Sequence, residues 1–280
     1  MKKYICCMFA AIVLFSSCFQ KKPDAAVSAE GTAESFQKNE NPDYKKIEEV
    51  LSKMSERAQR EIIISDRDEF LSDLYDVLAE EKKYRGDDLN LYYLIDKNHT
   101  VSSSYVPKDL VPLVKNEFYS INRNDLSLRP DVEKALREMA QASQKDGVRL
   151  LVSSTYRSYE YQENLFNYWV KVDGLEEAER ESARPGTSQH QLGVAIDFGS
   201  ITDDFGDTEM GRWIYRNGGK FGWSLSFPKL YEDVTGYRWE SWHFRYIGVP
   251  ACRMQEKWFC GVQQYLLEFI YLWKEYELVH

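Results

Sequence analysis

Between residues 43 and 84 apolar side chains recur every three or four positions: Ile47, Val50, Leu51 and Met54, then Phe70, Leu71, Leu74, Val77 and Leu78. That period gathers them on one face of a helix, and charged residues fill the gaps. The segment 43–88 is therefore expected to be helical, as a solvated amphipathic spacer. The pattern then changes. Leu89 to Asp96 reads as a strand, and Pro107 and Pro112 break the stretch after it. Pro130 opens a helix to about Lys145 with Val132, Leu136, Met139 and Ala140 as its apolar stripe, and Asp146-Gly147 ends it. A strand at Val148–Thr155 and a helix at Ser158–Val170 come next, then a turn at Pro185-Gly186 and a strand at Val194–Phe198. A helix near Met210–Lys220, strands near Trp223–Phe227 and Glu240–Tyr246, and one or two covering helices complete the chain. Strands and helices mixed without regular alternation indicate an α+β fold over residues 89–280.

The first 42 residues carry a different pattern. Lys2 and Lys3 precede an apolar run from Tyr4 to Phe15. A membrane-spanning helix needs roughly 20 apolar residues, so this shorter run fits the core of an export signal. Leu14-Phe15-Ser16-Ser17-Cys18 resembles a bacterial lipobox, with Phe15 where an aliphatic residue is usual. Residues 1–18 are thus expected to be a lipoprotein signal peptide, with Cys18 the lipidated residue anchoring an exported protein to a membrane without spanning it. Residues 19–42, rich in Ala, Ser, Glu, Gly and Thr around Ala25–Ser35, are expected to be a flexible tether.

Composition narrows the function. The 280 residues are 43% hydrophobic and 29% charged, enough apolar material for a sizeable core. The net charge of -9 argues against nucleic acid as a partner, because binding phosphates needs a basic face. Once the signal is removed and Cys18 lipidated, Cys252 and Cys260 remain. No CxxC pair exists for a structural zinc site, and no disulfide between the two is expected if one helix holds them apart.

The chemistry concentrates in Pro185-Gly186-Thr187-Ser188-Gln189-His190-Gln191-Leu192-Gly193-Val194-Ala195-Ile196-Asp197 and in Glu240-Ser241-Trp242-His243-Phe244-Arg245. A catalytic zinc takes three protein ligands and leaves one position for water. His190, Asp197 and His243 offer two imidazoles and a carboxylate. Water on such a metal ionises near neutral pH, and Glu240 is placed to take its proton. Taken singly, a histidine beside a glycine fits a structural role, and an Asp at a strand end fits a turn; only the set points to a metal. Glu240 and His243 are an odd number of residues apart, so on a straight strand they would face opposite ways. If both reach one site, the chain must bend at Ser241 or Trp242.

These segments resemble a known family. Ser188-x-His190-x-x-Gly193-x-Ala195-x-Asp197 followed by Glu240-x-Trp242-His243-x-Arg245 is similar to the VanY-type zinc D-alanyl-D-alanine carboxypeptidases and their L,D-carboxypeptidase relatives. Ser154-Thr155-Tyr156-Arg157-Ser158 with Gln162 resembles their S-G-Y-R-S…Q element, with Thr155 for Gly. Tyr92–Leu110, Phe227-Pro228-Lys229 and Thr235-Gly236-Tyr237 extend the likeness over roughly 90–250. The resemblance implies a D-Ala-D-Ala peptidase/hedgehog-like domain, Zn2+ on His190, Asp197 and His243, and Glu240 as general acid/base. It implies Arg157 in catalysis and substrate binding, Gln162 and Ser188 as further substrate contacts, and peptidoglycan stem peptides as substrate. A non-catalytic zinc-containing cell-wall peptide-binding lipoprotein is the alternative, and Glu240 speaks for the enzyme. Three departures stand out: Ser241 where the family commonly has Pro, Ser226 where Arg is frequent, and Tyr231 and Asp233 at basic positions.

Overall fold

The computed structural model describes residues 41–83, 89 and 91–279; the expected signal peptide, Cys18 and all but the end of the tether lie outside them. Three helices open the described chain: α1 (Pro42–Lys53), α2 (Glu56–Glu61) and α3 (Arg67–Lys83). Asn41 accepts a hydrogen bond from the Asp43 N–H, and Ser55 caps α2 by accepting from the Ala58 N–H. The helices are where the apolar period places them, but the solvated spacer is not what forms. Val50, Ala58, Phe70, Leu74 and Val77 are fully buried. Their stripe packs with α9 (Val249–Trp258) and α10 (Gln263–Val279), from the far end of the chain, in one apolar core. Phe70 sits among the rings of Trp258, Phe259 and Phe269 at centroid distances of 5.6, 6.0 and 5.3 Å. Lys46, only 5% exposed, clasps α1 to α10: its ammonium lies 3.6 Å from the Trp273 ring centroid and 2.8 Å from Glu277 Oε1.

The second core surrounds a five-stranded sheet. Two-residue strands β1 (Val111–Pro112), β2 (Ser120–Ile121) and β3 (Ser127–Leu128) precede helix α4 (Pro130–Lys145) and strand β4 (Leu151–Ser154). Helices α5 (Tyr159–Asp173) and α6 (Leu175–Glu181) lead to a 3-10 turn, Gln189–Leu192, and strand β5 (Ala195–Phe198). Helix α7 (Glu209–Asn217), β6 (Trp223–Leu225), α8 (Glu232–Thr235) and β7 (His243–Tyr246) complete the elements before α9. The sheet order is β2-β4-β5-β7-β6, with β2 parallel to β4 and the rest antiparallel, while β1 pairs with β3 separately. This is the α+β class expected. Ile196, Phe198 and Phe244 turn to the core shared with Val132, Leu136 and Met139 of α4 and Ile214 of α7. The period of two sends Asp197 and His243 to the other face.

The strand expected at Leu89–Asp96 is absent from its described residues, which form turns and bends. They are buried for another reason: Arg245 of β7, with no exposed surface, donates from Nη2 to the carbonyls of Leu91 and Tyr93. Cys252 is buried in α9 and Cys260 comes just after that helix with φ of 55°; both are free thiols.

Candidate functional site

Each functional side chain is delivered by a distinct local device. Asp197 pairs directly across the antiparallel ladder with His243, so register alone fixes a carboxylate beside an imidazole. His190 arrives on the 3-10 turn, which Ser188 caps and Gly193 closes at φ of 71°. A side chain at Gly193 would be strained there and would also meet Leu110 Cδ2 at 2.8 Å. Arg129, 1% exposed, pins the same turn by donating from Nε to the Leu192 carbonyl at 2.8 Å.

Glu240 reaches the site because the chain does bend where the odd spacing demands it. Ser241 and Trp242 form a turn, and β7 begins only at His243. Ser241 holds that turn without a proline: its hydroxyl hydrogen lies between the carbonyls of Thr202 (3.3 Å) and Asp203 (3.1 Å), and its oxygen accepts from the Gly206 N–H (3.2 Å). The basic positions taken by Tyr231 and Asp233 are met by Arg57 of α2, which stacks over the Tyr231 ring at 4.3 Å and pairs with Asp233 at 2.5 Å.

The donor atoms of His190, Asp197 and His243 all lie within 4.8 Å of one another, and all three residues are buried. His190 Nε2 stands 3.2 Å from Asp197 Oδ2, and His243 Nδ1 stands 3.1 Å from Asp197 Oδ1. His190 Nδ1 lies 2.6 Å from the Thr155 carbonyl, which can only accept, so the proton is on Nδ1 and Nε2 offers its lone pair. His190 Nε2 and Asp197 Oδ1 are buried without a hydrogen-bond partner. Converging unsatisfied acceptors are costly in a dry site, and a cation is what such a set of two imidazoles and one carboxylate suits. Burial, reinforced by the Arg157 charge, pushes His190 down to about 4, which leaves it neutral at pH 7. Burial alone would raise Asp197; protons and positive charge on the two histidines hold it well below the usual carboxylate range, so a cation at the same point, with both imidazoles neutral, would take over that role. Glu240 goes the other way: burial and the Asp197 charge push it well above its ordinary value, against Arg157 and Arg238. Its Oε2 lies 3.5 Å from His243 Nδ1.

A cavity of about 270 Å³ opens over this cluster. Arg157, Gln162, Ser188, His190, Asp197, Glu240 and His243 all line it, so the described residues expected to bind metal, contact substrate or carry the chemistry come together there. Arg157 Nη2 is 4.0 Å from Asp197 Oδ2. Gln162 donates its amide to Ser182 Oγ and the Ala183 carbonyl. Phe227 packs at a tilt against both Tyr237 and His243, with ring centroids 4.9 and 4.8 Å away, as an aromatic wall. The sequence assigned no role to Gln189, whose Oε1 lies 3.1 Å from His243 Nε2, and marked Ser226 only as a departure; Ser226 donates to that same oxygen at 2.7 Å. Only Gln189's position next to a histidine of the motif hinted at this.

The family model for D-alanyl-D-alanine carboxypeptidase, VanY, matches residues 125–249. YodJ of Bacillus subtilis (strain 168), named as a carboxypeptidase, is 35% identical over 172 residues, covering 59% of this chain and 63% of YodJ. The chain thus spans somewhat less than two thirds of that relative. The bifunctional D-Ala-D-Ala dipeptidase and carboxypeptidase VanXYC of Enterococcus gallinarum is 31% identical over 61% of this chain and 91% of its own length. Among solved structures, the LdcB LD-carboxypeptidase matches with a TM-score of 0.57 and 32% identity over 65% of this chain and 86% of that one. A vancomycin-resistance D,D-pentapeptidase VanY in complex with Zn(II) matches at 0.51 and 26% identity, over 64% and 98%. The chain belongs to the VanY family of D-alanyl-D-alanine carboxypeptidases.

Proposed function

We propose that the protein is a zinc carboxypeptidase that removes the terminal D-alanine from peptidoglycan stem peptides, as an exported lipoprotein anchored through Cys18. The observation that carries the enzymatic part is the convergence of His190, Asp197 and His243 beside Glu240 and Arg157 in one cavity. The zinc found in the VanY relative supports the choice of metal. Bound by those three residues, zinc would supply a polarised carbonyl and a water ionised near neutral pH. Glu240 takes the proton of the attacking water on its carboxylate and returns it to the amine nitrogen of the departing D-alanine. Returning that proton leaves Glu240 ionised again for the next turnover. Arg157 presents a fixed fork of donors to the substrate carboxylate or the developing oxyanion. Gln162 and Ser188 contact the peptide along the cavity wall. The buried imidazoles and the aromatic wall keep bulk water from the reacting bond.

The test uses defined tetrapeptide and pentapeptide stems and reads products by mass spectrometry. Loss of one D-alanine, stopped by a chelator and restored by zinc, is expected. Release from the pentapeptide identifies D,D cleavage, and release from the tetrapeptide L,D cleavage. Stems left intact by zinc-loaded protein overturn the proposal.

A further inference from the structure

Gln263 is the first residue of α10, beyond the residues 125–249 that the family model matches. It is 1% exposed and joins a chain of amides leading to His243. Chemistry fixes every polarity in that chain. The Ser224 carbonyl can only accept, so Gln263 turns its NH2 to it, at 3.3 Å. Gln263 Oε1 must then face the other way, where it accepts from Gln189 Nε2 at 3.4 Å and lies 3.3 Å from Ser226 Oγ. With its NH2 committed, Gln189 presents Oε1 to His243 Nε2 at 3.1 Å. An oxygen there requires the proton on Nε2, so the lone pair of Nδ1 points to Asp197, 3.1 Å away. Reversing the amides would put the proton on Nδ1, aim it at the carboxylate and close the cluster to a cation.

We propose that Gln263 is a positioning residue of the metal centre: acting through Gln189, it sets the tautomer and orientation of His243. The helix that completes the first core thereby also orders the site in the second. The part of this inference that concerns metal affinity rests on the proposed zinc function; the tautomer does not.

Gln255 supplies the control. It is 4% exposed and also hydrogen-bonded to β6, through Ser224 Oγ at 2.7 Å, and to the Gly261 carbonyl at 2.7 Å, but its side chain makes no hydrogen bond to Gln189 or His243. The experiment compares wild type, Gln263→Leu, Gln263→Asn and Gln255→Leu. It measures zinc affinity by chelator competition, imidazole 15N shifts of metal-free protein, and metal-free melting temperature. Loss of partners that orient metal ligands typically weakens affinity about 10–100-fold. One amide further out, both Gln263 variants should weaken zinc about 3–10-fold and turn His243 from one tautomer into a mixture. Gln255→Leu should lower the melting temperature while zinc affinity and tautomer stay as in wild type. Unchanged affinity and tautomer in the folded Gln263 variants, or an equal loss in Gln255→Leu, would overturn the relay. If wild type itself fails to hold zinc, the functional reading falls and the tautomer spectra alone decide the relay. Should Gln263→Leu not fold, Gln263→Asn, which shortens the reach to Gln189 and keeps the amide, carries the comparison.

Discussion

His190 and His243 offer different nitrogens to the same point, Nε2 from one and Nδ1 from the other, because each has its remaining nitrogen engaged by an oxygen. Losing any donor of a three-ligand set leaves too few to retain zinc. His190→Ala, Asp197→Ala and His243→Ala are each expected to lose metal and all hydrolysis, and elemental analysis showing full occupancy in all three would refute the assignment. Glu240→Gln separates binding from chemistry. It should stay zinc-replete and bind stem peptide while turnover drops about 10²–10⁴-fold, or roughly 3–5 kcal/mol. Near wild-type turnover would mean another base, and loss of zinc would make Glu240 a ligand. At this scale the sequence was informative where a residue type carries its own chemistry: histidines, acids and an arginine in spaced motifs. It assigned Gln189 no role and marked Ser226 only as a departure from the family pattern, since a buried amide or hydroxyl announces no role until its neighbours are known.

The helices α1–α3 show what periodicity can and cannot say. It located the apolar stripe correctly, because spacing alone determines which residues share a face. It could not name the stripe's partner, which lies some 200 residues away in α9 and α10. Phe70→Ala decides between a spacer and a core element. A solvated helix would change by less than about 0.5 kcal/mol. Removal of a fully buried phenylalanine among three aromatic rings should instead cost about 3–5 kcal/mol, read as a shifted denaturation midpoint. The segment around Leu91 failed as a strand for a related reason. An apolar run reports burial, and here the backbone acceptors are met by the Arg245 side chain rather than by a neighbouring strand. The strands β1, β2 and β3 escaped because two residues hold no period.

For the whole molecule, the anchor is tested by fractionation: Cys18→Ser should move the protein from membranes to the soluble fraction. A variant that stays with membranes, alongside wild type carrying no lipid by mass, would reject lipidation. The clasp between α1 and α10 has a consequence for how the chain is born. Lys46 and Glu277 are 231 residues apart, and at roughly 10 residues per second of synthesis the first helices wait on the order of 20 s for their partners. Throughout that interval the stripe of Val50, Phe70 and Leu74 has no permanent cover. Stalling synthesis just before Gln263 should therefore leave residues 41–83 open to protease, and release of the full chain should protect them within one folding event. Resistance in the stalled chain would mean that the first helices find cover without α10. The order of translation thus makes the opening helices among the last parts of the protein to become native.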